Sequence, residues 1–131
     1  IFFNHLGKPD RAQYWNDWIR RTKYDASSVG LDGNDDGGSL SSWFVLSAAG
    51  FLPVAGTEKY EIVSPLFESL TLDLGGPTLA ITSTGASTGK KYVRGATLNG
   101  VPLTEPRFLH SQIAAGGTLV LQMSETPGAW E

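Results

Sequence analysis

The spacing of apolar residues changes once along this chain, near Pro53, and that change restricts its fold more than any other feature. Upstream, apolar residues recur at three- and four-residue steps, as on one face of a helix. Downstream they alternate or gather in short β-branched runs cut by glycine pairs, as in short strands. A helical period does not settle as a strand, nor the reverse. The expected fold class is therefore α+β: two N-terminal helices followed by a small antiparallel β-sandwich or sheet. The expected division is a helical segment, 1–53, and a β-rich portion, 54–131. With 131 residues the chain is long enough for one ordinary core.

The first helix is predicted over about Pro9 to Tyr24. Pro9 suits a first turn and Asp10 beside it favours the helix dipole. Ala12, Trp15, Trp18, Ile19 and Thr22 mark one face. The second helix is predicted over Ser39 to Leu52, with Leu40, Trp43, Phe44, Ser47, Ala48 and Phe51 on one face and Gly50 and Pro53 as stops. Trp15, Trp18, Trp43 and Phe44 have the spacing of a core stripe, although aromatics can also stack on sugars. So few elements cannot cover all four. An open apolar helical face is expected, to be covered by self-association or by the remainder of a longer chain. After Pro53, "KYEIV", "LTLDL", "LAITS", "KYVRGATL", "QIAA" and "TLVLQMS" read as strands. Asn99-Gly100 predicts a two-residue hairpin turn.

Composition removes several functions. Net charge is −3, and Arg20-Arg21 and Lys90-Lys91 are the only adjacent basic pairs, which argues against a nucleic-acid partner. No cysteine is present, which excludes thiolate metal sites and disulfides. His5 and His110 are the only imidazoles, too few for a histidine-rich zinc site. No apolar run approaches the ~20 residues of a membrane span. The opening "IFFNHLGKPD" has neither methionine nor a signal-peptide pattern and reads as the interior of a longer protein.

Chemistry concentrates in "GLDGNDDGGSLSSWF", Gly30 to Phe44. Asp32, Asn34, Asp36 and Gly37 match the first half of an EF-hand loop, but Trp43 stands where the closing bidentate glutamate belongs. Calcium in another geometry stays open, because carboxylates and an amide are hard oxygen ligands. A second reading is acid–base chemistry, since neighbouring carboxylates push each other's pKa apart. Asp35 and Asp36 are adjacent, so their side chains should diverge and one alone would serve as base. A third reading is structural, with Asp32 or Asp36 in an Asx-turn or helix cap and the others solvated. Ser41 and Ser42 have no paired histidine and are not read as nucleophiles. Glu58, Glu61, Glu68 and Glu125 are read as solvated, and His5 and His110 as having no role.

"GLDGNDDGGSLSSWFVLSAAGFLPV" resembles the α-mannosidases of glycoside hydrolase family 92, as do "NHLGKPDRAQYWNDWIRRTKY", "EKYEIVSPLFESLTLDL", "ATLNGVPL" and "PRFLHSQIAAGGTLVLQMSETPGAW". The likeness runs in order along nearly the whole chain. It implies the C-terminal portion of an exo-acting, inverting, calcium-dependent α-mannosidase acting on mannose-containing glycans. Residues 1–53 would be the end of an (α/α)6 catalytic barrel and 54–131 its C-terminal β portion. The resemblance makes Asp36 the candidate general base and a candidate calcium ligand. Asp35 joins the catalytic centre at a variable acidic position. Asn34 is a substrate-binding candidate where many members carry aspartate. The catalytic acid, a glutamate, is expected well upstream of Ile1, so this chain alone should be inactive. A secreted or periplasmic location follows from the family only. The alternative is a non-catalytic carbohydrate-binding or structural β-sandwich module.

Overall fold

A computed structural model describes all 131 residues, Ile1–Glu131. Three helices come first: α1 (Phe2–His5), α2 (Pro9–Lys23) and α3 (Ser39–Ala49). Eight strands follow: β1 (Phe51–Pro53), β2 (Lys59–Ile62), β3 (Ser69–Asp73), β4 (Thr78–Thr82), β5 (Tyr92–Leu98), β6 (Val101–Pro102), β7 (Arg107–Leu109) and β8 (Gly117–Ser124). The α+β class is the one expected. No helix is long and apolar enough to cross a membrane.

The second long helix ends earlier than predicted. Gly50 adopts φ 102°, and its N–H closes on the carbonyls of Leu46 and Ser47. A Cβ at Gly50 would lie 2.9 Å from Leu121 Cδ1, so the position needs glycine for the turn and for the close approach of β8. Phe51–Pro53 then leave as strand β1, with Phe51 opposite Ile62. Pro53 is tolerated because β1 is an edge strand.

The strands form an antiparallel sheet, β1-β2-β7, and a five-stranded sheet, β3-β4-β8-β5-β6. The expectation of purely antiparallel pairing fails at one place, where β4 and β8 run parallel. Such a pair needs a long crossover, and the whole β5–β7 segment supplies it. The Asn99-Gly100 turn forms as predicted, with φ 52° and 79° and Leu98 opposite Val101. "QIAA" is not a strand. His110–Gln112 is a 3-10 turn, closed where Gln112 Oε1 accepts the Leu109 N–H at 2.7 Å. Phe51, Ile62 and Phe108 of the small sheet share one core with Leu79, Val93, Leu119 and Leu121 of the large one.

The buried face of α2 differs from the one its apolar spacing suggested. Ala12, Gln13, Asn16, Asp17 and Arg20 are buried, whereas Trp15 and Trp18 are 45% and 40% exposed. The helix lies against backbone, not against side chains alone, and buried backbone polar groups need partners. Gln13 donates to Val93 O and accepts from Val93 N, both at 3.0 Å, which completes β5 on the edge opposite β8, where β6 does not reach. Arg20 donates to Ser47 O at 2.7 Å, Ser64 O at 2.5 Å and Pro65 O at 3.4 Å. Glu61 is fully buried rather than solvated. Asn4 Nδ2 donates to it at 2.8 Å, and His5 Nε2 and Arg107 Nε lie 3.3 and 3.5 Å away. His5 thus has a structural partner, as does His110, whose Nδ1 is 3.1 Å from Tyr60 Oη.

Trp43 and Phe44 are half-buried. Tyr14, Trp15 and Trp18 form a chain of edge-on contacts, 5.3 and 5.6 Å between ring centres, on the outer face of α2. Aromatic surface of this kind drives association. Produced alone, the 131-residue chain is expected to self-associate, and the pair Trp15→Lys and Trp18→Lys to return it to monomer. Light scattering checks this, and a monodisperse wild-type monomer at high concentration would contradict it.

Candidate active site

The acidic loop joins α2 to α3, and its ends are fixed before its carboxylates are reached. Tyr24 and Leu31 form an antiparallel bridge, and Asp25 N donates to Gly30 O at 3.1 Å. The Tyr24 ring stacks on Trp43 at 5.6 Å, and its hydroxyl donates to Leu40 O at 3.1 Å. Burial, then the negative charge of Asp35, push the Tyr24 pKa up, so its hydroxyl stays a donor. The loop is thereby clamped to the first turns of α3.

The acidic side chains then part company. Asp32 pairs with Lys23 at 2.8 Å on an open surface, a contact of small energetic weight. Asp35 turns toward α3: Oδ1 accepts the Ser41 N–H and Oδ2 accepts the Ser41 hydroxyl, both at 2.8 Å. Those bonds, the backbone one first, hold the Asp35 carboxyl below the usual carboxylate range. The Asp35 carbonyl accepts from Ser39 N at 2.8 Å and Leu40 N at 3.3 Å. The capping residue is therefore Asp35, not Asp32 or Asp36, because Gly38 at the N-cap position has no side chain to offer. Asp36 is exposed, and its carboxylate accepts no hydrogen bond. Its backbone sits at φ 47°, a left-handed conformation that non-glycine residues rarely take, with Gly37 and Gly38 following at φ 69° and 90°. Asn34 is also exposed, with no side-chain hydrogen bond. Asp36 and Asn34 are thus the loop's uncommitted groups.

Sequence reading overlooked Ser41. Its signal was a run of serines opening a helix after acids, a pattern that satisfies orphan N–H groups and backbone carbonyls.

Calcium takes six to eight oxygen ligands. Nowhere in the chain do three acidic or imidazole groups converge on one point. Asp35 is committed to Ser41 and Asp32 to Lys23, which leaves one carboxylate and one amide in the loop. These residues do not by themselves fit a calcium shell.

The chain matches the model of the glycosyl hydrolase family 92 catalytic domain over residues 1–125. It belongs to glycosyl hydrolase family 92. It corresponds to a C-terminal portion of such proteins. A family 92 α-mannosidase of Bacteroides thetaiotaomicron superposes with a TM-score of 0.88 at 30% identity, covering 96% of this chain and 17% of its own. An inverting mannosidase of the family from the same organism is 34% identical with a TM-score of 0.84, over 95% of this chain and 17% of its own. An uncharacterized secreted glycosidase of Arthroderma benhamiae is 28% identical over 99% of this chain. The chain spans 17% of the length of each of these three relatives.

Proposed function

We propose that these residues carry the general-base loop of an exo-acting, inverting α-mannosidase that hydrolyses terminal α-mannosides in mannose-containing glycans. The observation that carries the reading is the division of labour between Asp35 and Asp36: one carboxylate is bound into the helix cap, and the next is presented bare to solvent in a strained conformation. Support comes from one solved relative that is an α-mannosidase, also solved in complex with mannoimidazole, and from another that is an inverting mannosidase.

In this reading Asp36 takes a proton from water as that water attacks the anomeric carbon, and the leaving oxygen is protonated by an acid outside this chain. Attack from the face opposite the leaving group inverts the anomeric centre, with the two carboxyl groups about 6.5–9.5 Å apart. Asn34 hydrogen-bonds substrate hydroxyls. A calcium ion, if the whole enzyme uses one, draws its ligands from beyond these residues, with Asp36 at most one of them. The 131 residues alone are inactive, because base without acid completes only half of the proton traffic. The (α/α)6 barrel and a secreted or periplasmic location belong to the same proposal.

The full-length enzyme is expected to release β-mannose first from an α-mannoside, visible by proton NMR before mutarotation. First release of α-mannose, or no hydrolysis of α-mannosides, would overturn the reading.

A further inference from the structure

We propose that Ser41 is a positioning residue, acting through Asp35 to hold Asp36 where it can accept a proton. The proposal rests on the assignment of the base to Asp36 and adds how that base is aimed.

Three serines open α3, and each reaches back to a different part of the loop. Ser39 Oγ donates toward the carbonyls of Asp35 and Asp36, each at 3.2 Å. Ser42 Oγ donates to Gly38 O at 2.7 Å. Ser41 alone engages a side chain, and it occupies both oxygens of Asp35. A carboxylate whose two oxygens already accept such bonds is a poor proton acceptor, as its lowered pKa also indicates. Asp35 therefore does not share the base role. Its position just before Asp36 gives it another. Asp36 is held at φ 47° between Asp35 and two glycines, where a non-glycine backbone relaxes unless its neighbours are fixed. Gly37 makes no hydrogen bond, and Gly38 is held only through its carbonyl, which accepts from Ser42 N at 2.9 Å and Ser42 Oγ at 2.7 Å, so neither fixes the Asp36 side of the turn from its N-terminal end. On the N-terminal side the Ser41–Asp35 pair is the restraint on the carboxylate, added to the bonds from Ser39 and Leu40 N–H that hold the Asp35 carbonyl.

An ordinary helix cap predicts lost stability and unchanged chemistry per folded molecule. Positioning predicts lost chemistry with little change in substrate binding. In the full-length enzyme, Ser41→Ala is expected to lower kcat about tenfold to hundredfold, the range a small misplacement of a reacting group costs, with KM nearly constant. Ser41→Thr, which keeps the hydroxyl, should restore most of the rate. Asp35→Asn reads the same contact from its other end. Combined with Ser41→Ala it should cost no more than the larger single change, because both break one restraint.

Wild-type kcat in folded Ser41→Ala, failure of Ser41→Thr to recover activity, or additive losses in the double variant would each overturn the proposal. If Ser41→Ala does not fold, Asp35→Asn and Ser41→Thr decide: the first must lose kcat at constant KM and the second must not. Asp36→Asn, measured in parallel, separates the two layers. Full activity in Asp36→Asn removes the base assignment and this proposal with it. Loss in Asp36→Asn with no loss at Ser41 or Asp35 removes only the positioning role.

Discussion

Asp36→Asn in the full-length enzyme is expected to keep the fold and to lower kcat by about 10²–10⁴-fold, the usual value of general-base assistance. The amide is nearly isosteric with the carboxylate. The native Asp36 side chain accepts no hydrogen bond within the chain, so no internal contact is lost. Asparagine also tolerates the left-handed backbone that Asp36 adopts at φ 47°. What disappears is a proton acceptor. Asp32→Asn removes only an exposed pair with Lys23 and should leave kcat nearly unchanged. Asp35→Asn should fall between, since it weakens the hold of Ser41 without removing the base. Steady-state kinetics on an α-mannoside, with thermal melts alongside, distinguishes this ranking from small, equal, stability-linked losses. Near-wild-type turnover in Asp36→Asn would refute the base assignment.

Arg20→Met should cost about 3–5 kcal/mol of stability, the range for removing one partner from a buried charged network. Arg20 is almost fully buried, and its guanidinium reaches α3 through Ser47 O and the β2–β3 connection through Ser64 O and Pro65 O. Burial opposes its charge and Asp17, 3.5 Å away, offsets that cost. Methionine fills similar space but donates nothing. Ser64 O and Pro65 O would lose their donor, Ser47 O would keep only the Gly50 N–H, and Asp17 would keep only Arg21 at 2.9 Å and the more distant Lys91 at 4.0 Å. Lysine should rescue only in part, because a point charge cannot address three diverging carbonyls as a planar fork does. Urea titration followed by tryptophan fluorescence measures the change, and a loss below about 0.5 kcal/mol, the size of an ordinary surface substitution, would refute the network's importance.

Some features of this protein were written in the order of its residues. The change of period at Pro53 set the α+β class, because helix and strand periods are local properties of the chain. Pro9 and Gly50 placed helix ends, and Asn99-Gly100 placed a turn, since each acts through its own dihedral angles. The acidic loop was legible as the candidate site, because three acids and an amide on glycine-rich backbone have no use in a core. Other features needed the tertiary structure. Trp15 and Trp18 had core spacing, yet Gln13, Asn16 and Arg20 face inward, because α2 meets a strand edge and carbonyl groups that only polar side chains satisfy. Glu61 looked solvated until Asn4, His5 and Arg107 closed over it from α1 and β7. β1 and β7 are three residues each and gained strand character only by pairing with β2. The separate fates of Asp35 and Asp36 also could not be read from adjacency. Ser41, six positions beyond Asp35, folds back to take one carboxylate, and a left-handed turn carries the next away from it. Local dihedral preferences travel with the sequence, whereas the partner of a buried or capping group is decided by whichever distant segment packs against it.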